Sequence, residues 1–237
     1  MSKHAVPPLL LSARPPGRFP DPDDYDAEGL VAFGGDLEPE RLLLAYRSGI
    51  FPWYSEETVP LWWSPDPRAL LDPERLRVAR SLQKTIRRGR FTLTWNSCFE
   101  RVMTECGRGR DRQHGTWILP EMLAAYTRLH ELGHAHSLEV WQGERLVGGV
   151  YGVQVGGLFA AESMFHRATD MSKVALIALV RSLFAAGVEL FDVQFVTEHL
   201  ASLGAYTIPR REYCRRVAVA AARRVDLAGL VPTLAAG

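Results

Sequence analysis

Hydrophobic periodicity along the second half of the chain predicts a run of strands around one buried helix. Residues 136–141 (HSLEVW) and 145–154 (RLVGGVYGVQ) read as strands, with Gln142-Gly143-Glu144 as the hairpin turn between them. A second turn at Gly156-Gly157 leads into a third strand, LFAAESMF. Residues 171–187 (MSKVALIALVRSLFAAG) are apolar almost all round, which predicts a buried helix stopped by Gly187. Residues 188–196 (VELFDVQFV) are apolar on both faces, the mark of a central strand. A meander followed by a helix and a strand predicts that this last strand pairs in parallel with a strand of the meander. That is the order of an acetyltransferase-like fold, so the expected class is α/β (α+β) with a mixed sheet.

The first half is less regular. Residues 1 to about 30 are rich in Pro and Asp and are expected to wrap a surface. A helix is predicted over 38–48, with Asp36 as candidate N-cap and Gly49 as its stop. From Gly49 to Leu71 the chain carries Trp53, Trp62 and Trp63 together with Pro52, Pro60, Pro65 and Pro67. So many prolines predict a stiff extended loop, with no long helix or central strand. Large indoles on such a loop either seal a seam or line a pocket. Composition shifts near Pro65–Pro67, where we place a boundary between a small N-terminal domain (1–66) and a larger C-terminal one (67–237). Beyond it, a helix around 80–88 sets Arg80, Lys84, Arg87 and Arg88 on one face and Leu82 and Ile86 on another. A short strand (91–95) and a helix (120–132, with Pro120 in its first turn) follow.

Composition narrows the partners. The 28 basic and 27 acidic side chains leave a net charge of +1, so any nucleic-acid contact must come from a local patch. The basic face over 80–88 is one such patch; Arg108, Arg110 and Arg112 form a second, and Arg210, Arg211, Arg215 and Arg216 a third. Three patches tilt the reading toward an anionic partner and away from a merely solvated helix face. No run approaches a membrane span, and no signal-peptide pattern opens the chain. Cys98, Cys106 and Cys214 are odd in number and form no CxxC, as expected of reduced thiols in a cytoplasmic protein.

Three sets of residues are candidates for chemistry. Asp192 and Gln194 share one face of the otherwise apolar last strand, where polar groups are either a satisfied structural pair or a site. Glu162 stands among small and apolar residues on an inner strand; its charge calls for a cation, from an internal Arg or Lys or from a substrate. His130-Glu131-Leu132-Gly133-His134 matches the zinc motif H-E-x-x-H, but Gly133 ends the helix, and Ser137 and Val140 stand where the longer motif needs Gly and His. No metal is therefore expected. The loop opening the buried helix, HRATDMSK, has no glycine to cradle a pyrophosphate, which argues against coenzyme A as cofactor.

The segments GLVAFGGDLEPERLLLAYRSGIFPWY, LWWSPDPRA, GTWI, AYTRLHELGHAHSLEVW, LVGGVYGV, LFAAESMF and FDVQFVTEHLASLGAYTIPRREY, in this order, resemble the bacterial leucyl/phenylalanyl-tRNA–protein transferases over essentially the whole chain. The resemblance implies an enzyme that moves Leu or Phe (Met less well) from aminoacyl-tRNA to an N-terminal Lys or Arg of a protein, creating a degradation signal. It implies a small N-terminal domain, a C-terminal acetyltransferase-like domain, a cytoplasmic monomer, no metal and no cofactor. Carried over position by position, it implies catalytic roles for Asp192 and Gln194, acceptor binding by Glu162, and an aminoacyl pocket at Trp53, Trp117 and Phe159. Val150, Leu179 and Leu183 stand in the pocket region where some relatives have Met or Phe, and tRNA binding falls on Arg80, Lys84, Arg87 and Arg88. A transferase acting on cell-wall peptide precursors and a non-catalytic reader of charged tRNA are the alternatives on the same residues.

Overall fold

A computed structural model describes residues 6–12, 18–108 and 118–235. Two sheets organise them. The smaller has four short strands: β1 (Leu9–Leu11), β2 (Leu30–Gly34), β3 (Phe51–Pro52) and β4 (Leu61–Trp63), in the order β1-β2-β4-β3. Helix α1 (Pro39–Arg47) crosses from β2 to β3. The chain enters α1 at Glu38 rather than Asp36, whose carboxylate accepts the Glu38 N–H and pairs with Arg41.

The prolines predicted a loop throughout the Trp/Pro segment, and the structure corrects this. Residues Leu61–Trp63 form β4, an internal strand hydrogen-bonded to β2 on one side and β3 on the other. Pro60 and Pro65 flank that strand instead of interrupting it, so the missing N–H groups cost the ladder nothing. The segment then contributes β5 (Arg68–Leu70), buried along its length, to the larger sheet.

The larger sheet has seven strands in the order β11-β5-β10-β9-β8-β7-β6. Strands β6 (Thr92–Trp95), β7 (Ala135–Gln142), β8 (Arg145–Val155) and β9 (Leu158–His166) run antiparallel in sequence. Helix α5 (Met171–Ala185) then crosses over, and β10 (Leu190–Gln194) pairs in parallel with β9, as the periodicity predicted. β5 lies antiparallel between β10 and β11 (Tyr206–Ile208). The meander, buried crossover helix and parallel strand make this a mixed α/β domain of acetyltransferase-like order.

The sheet is covered on both faces, and this explains why α5 is apolar all round. Its residues Val174, Ile177, Ala178 and Leu179 are sealed in one core with Phe159, Phe191 and Val193. On the opposite face, α3 (Phe99–Gly107) and α4 (Pro120–Glu131) share a second core with α1 and the small sheet, Trp62 and Tyr46 included. Short helix α6 (Glu198–Ser202) follows β10, and helix α7 (Arg210–Ala220) packs Tyr213 and Val217 against Leu190 of β10 and Leu70 of β5. Helix α2 (Arg80–Arg88) buries Leu82 and exposes Arg80, Lys84, Arg87 and Arg88, the amphipathic split its spacing predicted. No helix among the described residues is long and apolar enough to cross a membrane.

Candidate active site

The site is built on two irregularities in neighbouring strands. Between β8 and β9 the pairing passes from Gly152↔Ala161 to Tyr151↔Ser163, so Glu162 is an extra residue in β9. Between β10 and β5 it passes from Asp192↔Leu70 to Gln194↔Ala69, so Val193 is extra in β10. Such bulges bend a strand and re-aim a side chain. Gln194 follows with a left-handed backbone (φ 56), and the Phe195 N–H donates to the Val193 carbonyl across it at 2.6 Å. A left-handed non-glycine residue costs roughly 1–3 kcal/mol and persists only where its surroundings hold it.

The two distortions bring Glu162 and Gln194 face to face: Gln194 Nε2 lies 3.5 Å from Glu162 Oε1. The carboxylate is also held from the other side. The Tyr46 hydroxyl donates to Oε1 at 2.8 Å, the Tyr126 hydroxyl approaches Oε2 at 3.5 Å, and the two phenols are 2.6 Å apart. Burial pushes the Glu162 carboxyl up to about 8; Tyr46 works against this, Asp192 adds to it, and Arg68 and Tyr126 oppose it. Both tyrosines are raised well above their ordinary range, chiefly by burial and next by the Glu162 charge, so they stay neutral donors.

Asp192 is tied to the backbone of Gln194 and not to its side chain. It is fully buried, and its Oδ1 accepts the Gln194 backbone N–H at 3.0 Å. The remaining contacts are internal: Arg68 Nε to Oδ1 at 2.8 Å, Arg68 Nη2 to Oδ2 at 2.6 Å, and the Tyr213 hydroxyl to Oδ2 at 2.9 Å. The Arg68 guanidinium is held above its ordinary range, because the Asp192 carboxylate and Tyr213 outweigh the opposing effect of burial.

Glu162 and Gln194 form a wall between two cavities. The larger, of about 230 Å³, is bounded by Phe51, Pro52, Trp53, Val193, Phe195 and Leu200. Its rim is aromatic: Trp53 and Phe195 are 46% and 40% exposed, with ring centroids 5.7 Å apart. The smaller, of about 80 Å³, is aliphatic, lined by Val150, Ala161, Met164, Val193 and Leu176. Trp53 and Val150, expected in one pocket, therefore lie in two. Trp63 braces Trp53 by donating to its carbonyl at 2.6 Å, while Trp62 is sealed in the core and donates to the Gly34 carbonyl.

Phe159 lines neither cavity. It is fully buried on the α5 face, stacked on Phe191 with centroids 5.6 Å apart. Its spacing of three from Glu162 puts the two on opposite faces of a strand. Leu179 and Leu183 are likewise core residues of α5. Trp117, Arg110 and Arg112 lie outside the described residues. Arg80, Lys84, Arg87 and Arg88 make no ion pair among the described residues, whereas Arg215 and Arg216 are both paired to Glu212. One carboxylate of the same helix thus engages two of the four cations of the third basic patch, and Arg210 is buried on the carbonyls of Tyr25, Asp26 and Ser64.

The zinc reading fails on geometry. Helix α4 ends at Glu131, so His134 lies past Gly133 and off the helix face. His130 is used otherwise, stacked on Phe99 at 4.4 Å with its Nδ1 at 2.8 Å from the Ala135 carbonyl. Sequence reasoning missed Tyr46, Tyr126, Arg68 and Tyr213, none of which stands out locally. It also missed Phe195, although an apolar residue next to Gln194 on a strand ending at a site was a usable signal.

Comparison with known proteins shows the family to which the chain belongs. Residues 70–218 match the family described as leucyl/phenylalanyl-tRNA protein transferase, and residues 35–66 match that family's N-terminal domain. A leucyl/phenylalanyl-tRNA–protein transferase of Anaeromyxobacter sp. (strain Fw109-5) is 58% identical over 200 residues, covering 84% of this chain and 85% of that one. One from Anaeromyxobacter dehalogenans (strain 2CP-C) is 54% identical over 212 residues, covering 89% and 91%. Among solved structures, a GCN5-related N-acetyltransferase from Kribbella flavida is a distant likeness, with a TM-score of 0.39 and 11% identity over 71% of this chain and 60% of that one. With over half of its neighbours' residues shared along most of its length, the chain belongs to the leucyl/phenylalanyl-tRNA protein transferase family and is a transferase.

Proposed function

We propose that this enzyme transfers Leu or Phe, and Met less well, from aminoacyl-tRNA to the N-terminal Lys or Arg of acceptor proteins, in the cytoplasm and as a monomer, marking those proteins for degradation. The observation that carries the reading is the wall formed by Glu162 and Gln194 between two apolar cavities. A carboxylate suited to a cationic acceptor and an amide suited to an amine meet there beside surface suited to an apolar side chain.

The reaction is aminolysis of an ester. The acceptor's α-nitrogen bonds to the aminoacyl carbonyl carbon, the bond from that carbon to the ribose oxygen breaks, and the oxygen leaves with a proton. The amine loses one proton and the leaving alcohol gains one, so no net acid or base is consumed. A free α-amine has a pKa of about 7.7–8.0, so a useful fraction attacks unaided. What the protein must supply is alignment of amine and ester. Gln194 accepts from the amine through its side-chain oxygen while its Nε2 faces Glu162, and the ionised Glu162 pairs with the acceptor's cationic group. Asp192 takes no proton from the amine, since both its oxygens are engaged by Arg68, Tyr213 and the Gln194 N–H.

The aliphatic cavity with Val150 takes the transferred side chain. Trp53 and Phe195 flank the open cavity through which the acceptor end of the tRNA and the peptide enter. The unpaired face of α2 neutralises tRNA phosphates. Acceptor competition tests the reading: peptides that begin with Arg or Lys should block transfer to a labelled Arg peptide, and N-acetylated copies should not. Equal competition by acetylated peptides would overturn it.

A further inference from the structure

Arg68 is the most thoroughly enclosed cation among the described residues beside the site. Its side chain and that of Asp192 are both 0% exposed. Its guanidinium lies between the rings of Phe51 and Tyr213, 4.7 and 4.4 Å from their centroids, and Nη1 donates to the Gly49 carbonyl at 3.1 Å. Phe51 is a wall of the larger cavity, and Gly49 is the turn that follows α1. One side chain on β5 therefore fixes both the small sheet's side of the cavity and, through Asp192, the end of β10.

That second effect is specific. Each Asp192 oxygen is engaged twice, Oδ1 by Arg68 Nε and the Gln194 N–H, Oδ2 by Arg68 Nη2 and the Tyr213 hydroxyl. The Gln194 N–H is thus tied to a carboxylate that is itself clamped bidentately, and Gln194 sits at a left-handed position that its own side chain does not favour. We infer that Arg68 is a positioning residue of the transfer reaction: through Asp192 it holds the Gln194 backbone in the turn that aims the Gln194 amide at Glu162. The inference rests on the reading that Gln194 aligns the amine. It makes Asp192 a positioning residue too, and adds Tyr213 as its second support.

A double-mutant cycle tests it. Single-turnover kcat, acceptor KM and melting temperature are measured for Arg68→Lys and for Tyr213→Phe, each in the wild-type and in the Gln194→Ala background. Arg68→Lys keeps the charge and loses the fork; Tyr213→Phe keeps the ring and loses one hydroxyl. If Arg68 acts through Gln194, Arg68→Lys lowers kcat by about tenfold or more in the wild type, with acceptor KM changed far less. In the Gln194→Ala background the same change costs no more than about twofold, because the group being positioned is already gone. An equal drop in both backgrounds, or a lower melting temperature with kcat untouched, overturns the inference. Should Arg68→Lys fail to fold, Tyr213→Phe runs the same cycle with the same two outcomes. Gln194→Ala alone reports on the underlying reading: normal turnover there refutes the role of Gln194, and the role of Arg68 with it.

Discussion

The Tyr46 hydroxyl donates to Glu162 Oε1 at 2.8 Å across a sequence separation of 116 residues. Tyr46 lies on α1, ahead of the small sheet's last strands, and Glu162 is the bulged residue of β9. The Glu162 carboxylate is therefore held by both halves of the chain. It is poised near neutrality, since burial raises it to about 8 and Tyr46 opposes the rise.

With Glu162 as the proposed acceptor-binding group, that poise predicts an acceptor affinity that depends on pH. A carboxyl raised to about 8 is mostly protonated at pH 6 and pairs weakly with a cation. The acceptor KM should fall as pH rises from 6 to 8.5. Glu162→Gln should flatten that dependence and raise the KM for an Arg-starting peptide by at least about tenfold, leaving the KM for charged tRNA nearly unchanged. Steady-state kinetics with each substrate varied in turn reads both effects. An unchanged peptide KM would make Glu162 a structural residue.

The same shift predicts how the free enzyme's stability varies with pH. Folding raises the carboxyl from the ordinary carboxylate range to about 8, so the folded state holds a proton that the unfolded chain has lost. The stabilisation is fully present below the ordinary range and is lost as pH rises through about 8. Wild type should melt lower at pH 9 than at pH 5, relative to Glu162→Gln measured beside it. Parallel curves for the two proteins would mean that the carboxyl is not raised.

On α2, Arg80 and Lys84 are exposed and make no ion pair among the described residues. Each phosphate contact contributes about 0.7–0.9 to the slope of log affinity against log salt. Reversing both residues to Glu should weaken tRNA binding and lower that slope by roughly 1.5–2. Filter binding over a salt series measures it. An unchanged slope would locate the tRNA elsewhere.

The aliphatic cavity beside Val150 is small, about 80 Å³. Val150→Phe should fill it and reduce kcat/KM for Phe-tRNA more than for Leu-tRNA, by about tenfold in the ratio, as pocket-size discrimination commonly allows. Competition between the two charged tRNAs gives that ratio directly. If the ratio does not move, the transferred side chain binds on the Trp53 side.

The sequence made some of this legible for clear physical reasons. An apolar run with two polar residues on one face marks β10 and draws attention to Asp192 and Gln194, because burial of polar groups needs an explanation. A helix apolar all round can only be buried, and α5 is. What failed was long-range. Nothing local links Arg68 to Asp192, 124 residues apart, or Tyr46 to Glu162. The two bulges leave no mark in the alternation, yet they decide which atoms meet. The prolines around Leu61–Trp63 hid an internal strand because they bracket it. Phe159 lies in the α5-side core, stacked on Phe191, and strand periodicity alone puts it on the face opposite Glu162.

The mass of the product tests the central claim most directly. The protein is incubated with Leu-, Phe- or Met-tRNA and an Arg-starting peptide, and the peptide is weighed. The peptide should gain one Leu or Phe residue at its N-terminus, with less Met, and a peptide starting with Ala should gain nothing. A peptide of unchanged mass with each charged tRNA, or addition at an internal Lys, would contradict that claim.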